Sequence, residues 1–167
     1  MGYEDHKHLS PQTVKCAVLI ISDSRTEKTD ESGKLLVDGL KGAGHEVNSF
    51  SLIKNDREAI REKVGELLHS PDVQVIVCSG GTGASKMDIT IETVTPMFEK
   101  TLDGFGELFR FLTYMDIGTG SILSRASAGV ALGKVIICLP GSLNAVRLAL
   151  YKIILPEIGH VVREASR

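Results

Sequence analysis

The stretch from Val73 to Thr90 reads VQVIVCSGGTGASKMDIT. Its apolar residues, Val73 and Val75 to Cys78 with Gln74 between, end abruptly in Ser79-Gly80-Gly81-Thr82-Gly83. Strand length, β-branched content and the glycine stop predict a central strand whose last residue opens into a loop. Three glycines in four positions allow positive φ and let backbone N–H groups turn inward as a cup for an anion. Asp88 follows, then Thr90, a suitable N-cap for a helix from Ile91. Gly83 and Asp88 are five residues apart, at most ~17 Å of extended chain. A phosphate cup and a carboxylate within that reach suit a nucleotide and its magnesium ion. The same residues also serve an ordinary strand-to-helix turn, and this stretch alone leaves both readings open.

Upstream, Cys16 to Ile21 (CAVLII) is a second buried strand, ending in Ser22-Asp23-Ser24-Arg25. A polar cluster at the carboxyl end of a strand is where open α/β sheets place ligands; a capping turn explains it equally well. Ser32 is expected to cap an amphipathic helix carrying Leu35, Leu36, Val37 and Leu40, stopped by Gly42 and Gly44. Glu46 to Ile53 reads as a strand. Asn55 and Asp56 then open a helix with Ile60, Val64, Leu67 and Leu68 on one face. Asp56 at that N-terminus suits capping or a magnesium contact, with capping preferred.

Downstream, a short helix with Val94 breaks near Pro96. Gly104 to Met115 forms another, with Phe105, Leu108, Phe109 and Leu112 on one face and Phe111 and Tyr114 elsewhere. Apolar groups on more than one face predict a second contact surface. Arg110 on this helix reads as a surface charge rather than an anion contact. Ile122 to Leu132 and Lys134 to Leu139 are expected to pair as a hairpin through Gly133, with Ser124 and Arg125 facing a cleft. Leu139-Pro140-Gly141-Ser142 ends the last strand in another glycine turn. A final helix runs from about Leu143 and restarts at Pro156 for one or two more turns. The expected architecture is a three-layer α/β/α domain with a mixed, mainly parallel five-stranded sheet. Turns after three of its strands should meet along one cleft.

The totals narrow the classes. At 167 residues and 43% hydrophobic content, the chain suits one domain, 14–167, after a flexible tail, 1–13. His6 and His8 on that tail read as solvated. A net charge of -2 argues against nucleic acid as the main partner. The apolar runs fall short of the ~20 residues of a membrane span, and the N-terminus lacks an export core, so a cytoplasmic location is expected. Cys16, Cys78 and Cys138 are spaced poorly for zinc and are odd in number, predicting buried reduced thiols.

In this order the pieces resemble the MoaB/MogA family of molybdenum cofactor biosynthesis proteins, over residues ~14 to 160. The residues carrying the likeness are Ile21-Ser22-Asp23, Asp30-x-Ser32-Gly33, Ser79 to Gly83 with Asp88 and Thr90, and Leu139 to Ser142 with Ala145. Gly104 to Arg110, Ile117-Gly118-Thr119 and Ser124-Arg125-Ala126 with Ala128-Gly129 mark the MoaB-like branch.

The resemblance implies adenylylation of molybdopterin. The terminal phosphate of the pterin attacks the α-phosphate of ATP and pyrophosphate leaves, with Mg2+ present. A separate protein of the same pathway then inserts molybdate or tungstate. Asp56 and Asp88 match the family's two functional aspartates and are the expected catalytic and metal residues. Ser124 matches a serine lining the pterin and phosphate region. The expected substrate- and nucleotide-binding set is Asp23, Ser79, Gly80, Gly81, Thr82, Gly83, Ser124, Arg125, Pro140, Gly141 and Ser142. Family members are trimers or hexamers, so a homo-oligomer is expected. Lys86-Met87 and Ile91 depart from the MogA pattern of Pro-Arg before the aspartate and Pro after the threonine; Lys86 offers a cation one residue earlier. Two alternatives share the fold: a non-catalytic pterin-binding or assembly subunit, and a nucleotide-pyrophosphate hydrolase.

Overall fold

Three buried apolar runs, β1 (Lys15–Ile21), β3 (Val75–Ser79) and β6 (Lys134–Leu139), form the parallel part of the sheet together with β2 (Glu46–Ile53), an edge strand of alternating exposed and half-buried residues. The computed structural model describes residues 2–167, apart from the side chains of Asp5 and His6; the reading of His6 therefore lies outside the described residues. Two further strands, β4 (Lys100–Thr101) and β5 (Ser127–Ala131), complete a six-stranded sheet in the order β2-β1-β3-β6-β5-β4. β5 runs antiparallel to β6, and β4 antiparallel to β5. The expected class holds, with one strand more than the five expected. β4 has only two residues, both exposed, too few for any alternation to register.

Alternate strand residues supply two cores. On one face Val18, Ile20, Val77 and Ile137 pack with α2 (Glu31–Gly42), α5 (Asp103–Ile117), α6 (Leu143–Ala149) and α7 (Leu155–Ala165). On the other, Leu19, Ile76, Cys78 and Cys138 pack with α3 (Arg57–His69) and with Val94 of α4 (Thr90–Val94). Burial on both faces explains why β1, β3 and β6 read as apolar runs. Each fully buried Leu, Ile or Phe contributes about 1.5–3 kcal/mol.

Several local expectations change. The segment expected as a flexible tail contains a helix, α1 (Tyr3–His8). It is held to α7 by Tyr3 and Lys7, which donate to Glu157 Oε1 at 2.5 and 2.7 Å. Burial alone would raise the Glu157 carboxyl; the bonds from Lys7, Tyr3 and His160 outweigh it and hold it below the usual carboxylate range. The cap of α2 is Asp30, not Ser32. The hairpin strand begins at Ser127 rather than Ile122, because residues Gly118–Leu123 coil into a 3-10 turn that leaves Ile122 and Leu123 exposed. The last helix passes through a π turn at Leu150–Ile154 before Pro156. Proline has no N–H to give and crowds the carbonyl four residues back; a wider turn accommodates both. Beyond it α7 continues for 11 residues, longer than the one or two turns expected. Cys16, Cys78 and Cys138 are fully buried free thiols on strands, as expected. No helix among the described residues is long and apolar enough to cross a membrane.

Candidate functional site

The sheet order puts β2 and β3 on opposite sides of β1, so the connections after β1 and β3 diverge, and a cleft opens at their carboxyl ends. There the cavity has a volume of about 590 Å³, and its wall includes Ser22, Arg25, Gly80 to Gly83, Asp88, Ser124, Pro140, Gly141 and Ser142.

The glycine loop is shaped by contacts that only glycine permits. Gly80 has φ +104° and Gly81 φ +65°. A Cβ on Gly80 would strike the carbonyl oxygen of Ile21 at the end of β1. The Gly80 amide is already engaged, donating to Leu139 O at 3.0 Å. The cup therefore consists of the Gly81, Thr82 and Gly83 amides, which make no hydrogen bond among the described residues. Thr90, expected as a helix cap, instead clamps the loop. Its hydroxyl donates to Gly80 O at 2.7 Å and its amide to Gly81 O at 2.9 Å.

Asp88 sits against this cup. A Cβ on Gly83 would lie 2.6 Å from Asp88 Oδ2. That oxygen accepts from the Ser85 amide at 3.2 Å and the Ser85 hydroxyl at 2.7 Å, leaving Oδ1 without a hydrogen bond among the described residues. Ser124 also faces the cavity, and its hydroxyl makes no hydrogen bond among the described residues.

Other expected residues take supporting positions. Ser79 is buried and donates to Pro140 O at 3.2 Å, tying the turn after β6 to the glycine loop. Ser142 caps α6, accepting from the Ala145 amide. Arg125 lies outside the cavity wall: Nη1 donates to Gly83 O at 3.0 Å, and Nη2 pairs with Glu92. Burial alone would raise the Glu92 carboxyl, but the bond and charge of Arg125 outweigh it and hold the group low. Asp23 and Asp56 are also outside the wall. Asp23 Oδ1 accepts from the Asn55 amide at 3.0 Å, and Asp56 Oδ2 caps α3 from the Ala59 amide at 2.9 Å. Lys86 is exposed, forms no ion pair among the described residues, and is no part of the wall.

Asn55, Asp116 and Asn144 carried no sequence signal for the site. Asp116 and Asn144 line the cavity. Asn55 Nδ2 donates to Met87 O, pinning the segment that carries Asp88. Its Oδ1 is buried without a partner among the described residues, 2.9 Å from where a Gly81 Cβ would stand.

Residues 17–160 match the family described as a probable molybdopterin binding domain. Over 168 residues the chain is 48% identical to molybdenum cofactor biosynthesis protein B of Bacillus cereus, covering 100% of this chain and 99% of that protein. The chain belongs to the MoaB/MogA family. Among MoaB/MogA structures, a crystal structure of molybdenum cofactor biosynthesis protein B matches with a TM-score of 0.90 at 48% identity, covering 93% of this chain and 98% of that one. The tungsten cofactor synthesizing protein MoaB of Pyrococcus furiosus matches with a TM-score of 0.85 at 36% identity, over 95% of this chain and 100% of that one. As in those relatives, the family fold spans essentially the whole chain.

Proposed function

We propose that this protein acts in molybdenum cofactor biosynthesis, as its relatives' names state of them, and that it adenylylates molybdopterin with ATP. The observation carrying the reading is the juxtaposition of the unpaired Gly81 to Gly83 amides with the Asp88 carboxylate in one cavity. A phosphate site needs neutral donors that approach closely, and backbone amides held by glycine geometry provide them.

In the proposed reaction an oxygen of the pterin's terminal phosphate bonds to the α-phosphorus of ATP. The bond from that phosphorus to the bridging oxygen breaks, and pyrophosphate departs with the electron pair. Catalysis of such a transfer is mainly positioning and charge stabilisation. The loop amides would hold phosphate oxygens, and the Ser124 hydroxyl would donate to another. Thr90 and Arg125 would keep the loop in register.

No group of three or more His, Cys, Asp or Glu residues that could hold a metal exists among the described residues. The wall carries two carboxylates, Asp88 and Asp116. That donor set fits magnesium, which takes one or two carboxylates and fills its shell with water and substrate phosphates. Asp88 would hold it through Oδ1. When bound, the ion supplies neutralisation of phosphate charge. Asp56, committed to the α3 cap and outside the wall, takes no part in this reading.

The test is adenylyl-molybdopterin formation and pyrophosphate release from purified molybdopterin and MgATP. Asp88→Asn keeps size and local acceptor capacity but loses the charge. It should lower turnover by roughly 10²-fold or more, with pterin affinity changed much less, and cost under ~1 kcal/mol of stability. Wild-type turnover in that variant overturns the role of Asp88. Pterin binding without turnover by the parent protein would indicate a binding subunit. Hydrolysis of a nucleotide diphosphate without pterin would indicate a hydrolase.

A further inference from the structure

The motif Asp30-x-Ser32-Gly33 lies outside the glycine loop, yet it is packed beside the same cavity. Asp30 is only 4% exposed. Its Oδ1 accepts from the Gly33 amide at 3.0 Å, while its buried Oδ2 has no partner among the described residues. Glycine at 33 makes room for this carboxylate, because a Cβ there would lie 2.9 Å from Asp30 Cγ. A buried carboxylate is costly unless a cation compensates it. The cation present is Arg25, whose Nη1 is 3.7 Å from Asp30 Oδ1.

Arg25 is fixed a second time by the turn after β6. Its Nη2 donates to Gly141 O at 2.6 Å, and Ser32 Oγ donates to the same oxygen at 2.9 Å. Among the residues of the cavity wall Arg25 is the sole lysine or arginine. A guanidinium has five N–H donors, and Arg25 uses one of them in a hydrogen bond here. The remaining fork can meet two oxygens of one phosphate group.

We infer that Arg25 is the cation that receives a phosphoanhydride in this cavity, and that buried Asp30 is the positioning residue holding its guanidinium at the wall. The inference rests on reading the cavity as a phosphate site. Helix capping alone does not account for the arrangement, since Ser or Asn would cap α2 as well without burying a charge.

Inorganic pyrophosphate is the probe, titrated calorimetrically into the full chain with magnesium at fixed ionic strength. Arg25→Gln should weaken binding at least tenfold, and Arg25→Lys should fall between it and the parent, keeping charge but losing the fork. Lys86→Gln should bind like the parent. Asp30→Asn separates two ideas sharply. Removing a negative charge near the cavity would tighten anion binding by electrostatics alone, whereas loss of positioning weakens it, by threefold or more. Arg25→Gln strands a buried carboxylate and should lower the melting point. The double variant with Asp30→Asn should recover stability without recovering affinity.

Parent-like binding by Arg25→Gln, unchanged or tighter binding by Asp30→Asn, affinity recovered in the double variant, or no binding of millimolar pyrophosphate by the parent would each overturn the inference. Should the parent form no adenylyl-molybdopterin while Arg25→Gln still loses pyrophosphate, the proposed reaction fails and the role of Arg25 stands. Turnover by the parent together with parent-like binding by Arg25→Gln would leave the reaction standing and remove Arg25 from it.

Discussion

Gly80→Ala is the substitution that tests the loop most directly. Gly80 has φ +104°, where a non-glycine residue costs roughly 1–3 kcal/mol. Its Cβ would also lie 3.2 Å from the Ile21 carbonyl carbon and closer still to the oxygen. That neighbour is backbone at the end of a central strand and cannot rotate away. Forced overpacking adds about 1–3 kcal/mol. A total near 3 kcal/mol should lower the melting point by about 6–12 °C in a chain of this size, read by calorimetry or circular dichroism. The displaced loop should also lose pyrophosphate affinity. Gly65→Ala supplies the opposite sign. Gly65 lies within α3, and a Cβ there meets nothing within 4 Å, so alanine should stabilise by about 0.5–1 kcal/mol. Equal melting points for the two variants would refute the claim that the Gly80 contact shapes the loop.

Other expectations follow from packing and charge. Burial pushes the Cys16 thiol up to about 12, and the bond with Cys78 and then burial raise Cys138 well above its ordinary value. The native protein should therefore react slowly with a thiol reagent and hold no stoichiometric zinc; rapid modification of all three cysteines without unfolding would overturn this. His45 Nδ1 accepts from the Val14 amide at 3.2 Å, and burial lowers its pKa. The unfolded chain then takes up the proton first, so stability should fall as pH drops below about 6.5, a component that His45→Gln should lack in urea titrations at stepped pH. Phe111, Tyr114, Met115, Ile117, Ile122 and Leu123 are all exposed on or beside α5. We expect this patch to be covered by another copy of the chain, giving a homo-oligomer by light scattering at micromolar concentration; a monodisperse monomer would contradict it.

Legibility in the sequence tracks the range of each interaction. β1, β3 and β6 are readable because burial on both faces leaves continuous apolar runs, and Asp56 is readable as a cap because its partner is three residues away. Ser32 reads as a cap, but its hydroxyl goes to Gly141, far along the chain; Asp30, two residues earlier, takes the cap. Thr90 differs from expectation for the same reason, its acceptor being Gly80 across the loop. Ile122 and Leu123 look like strand because they are apolar, but they lie exposed in a 3-10 turn. The glycine cup is legible in outline from GGTG. That Gly80 gives its amide to Leu139 is not, since β6 arrives beside β3 only through the sheet order.

The π turn at Leu150–Ile154 solves a problem of phase. Buried positions along the C-terminal helix recur every four residues, at Val146, Leu150, Ile154, Ile158 and Val162. At 3.6 residues per turn each such step overshoots a full rotation by about 40°, so the stripe would wind by roughly 160° from Val146 to Val162. A turn holding more residues undershoots instead and takes back part of that drift. It works as a vernier, letting one continuous rod face α2 at its beginning and β6 at its end. Deleting a single residue there would rotate everything beyond it by about 100°, swinging Ile158 and Val162 away from the core while Val146 stayed in place.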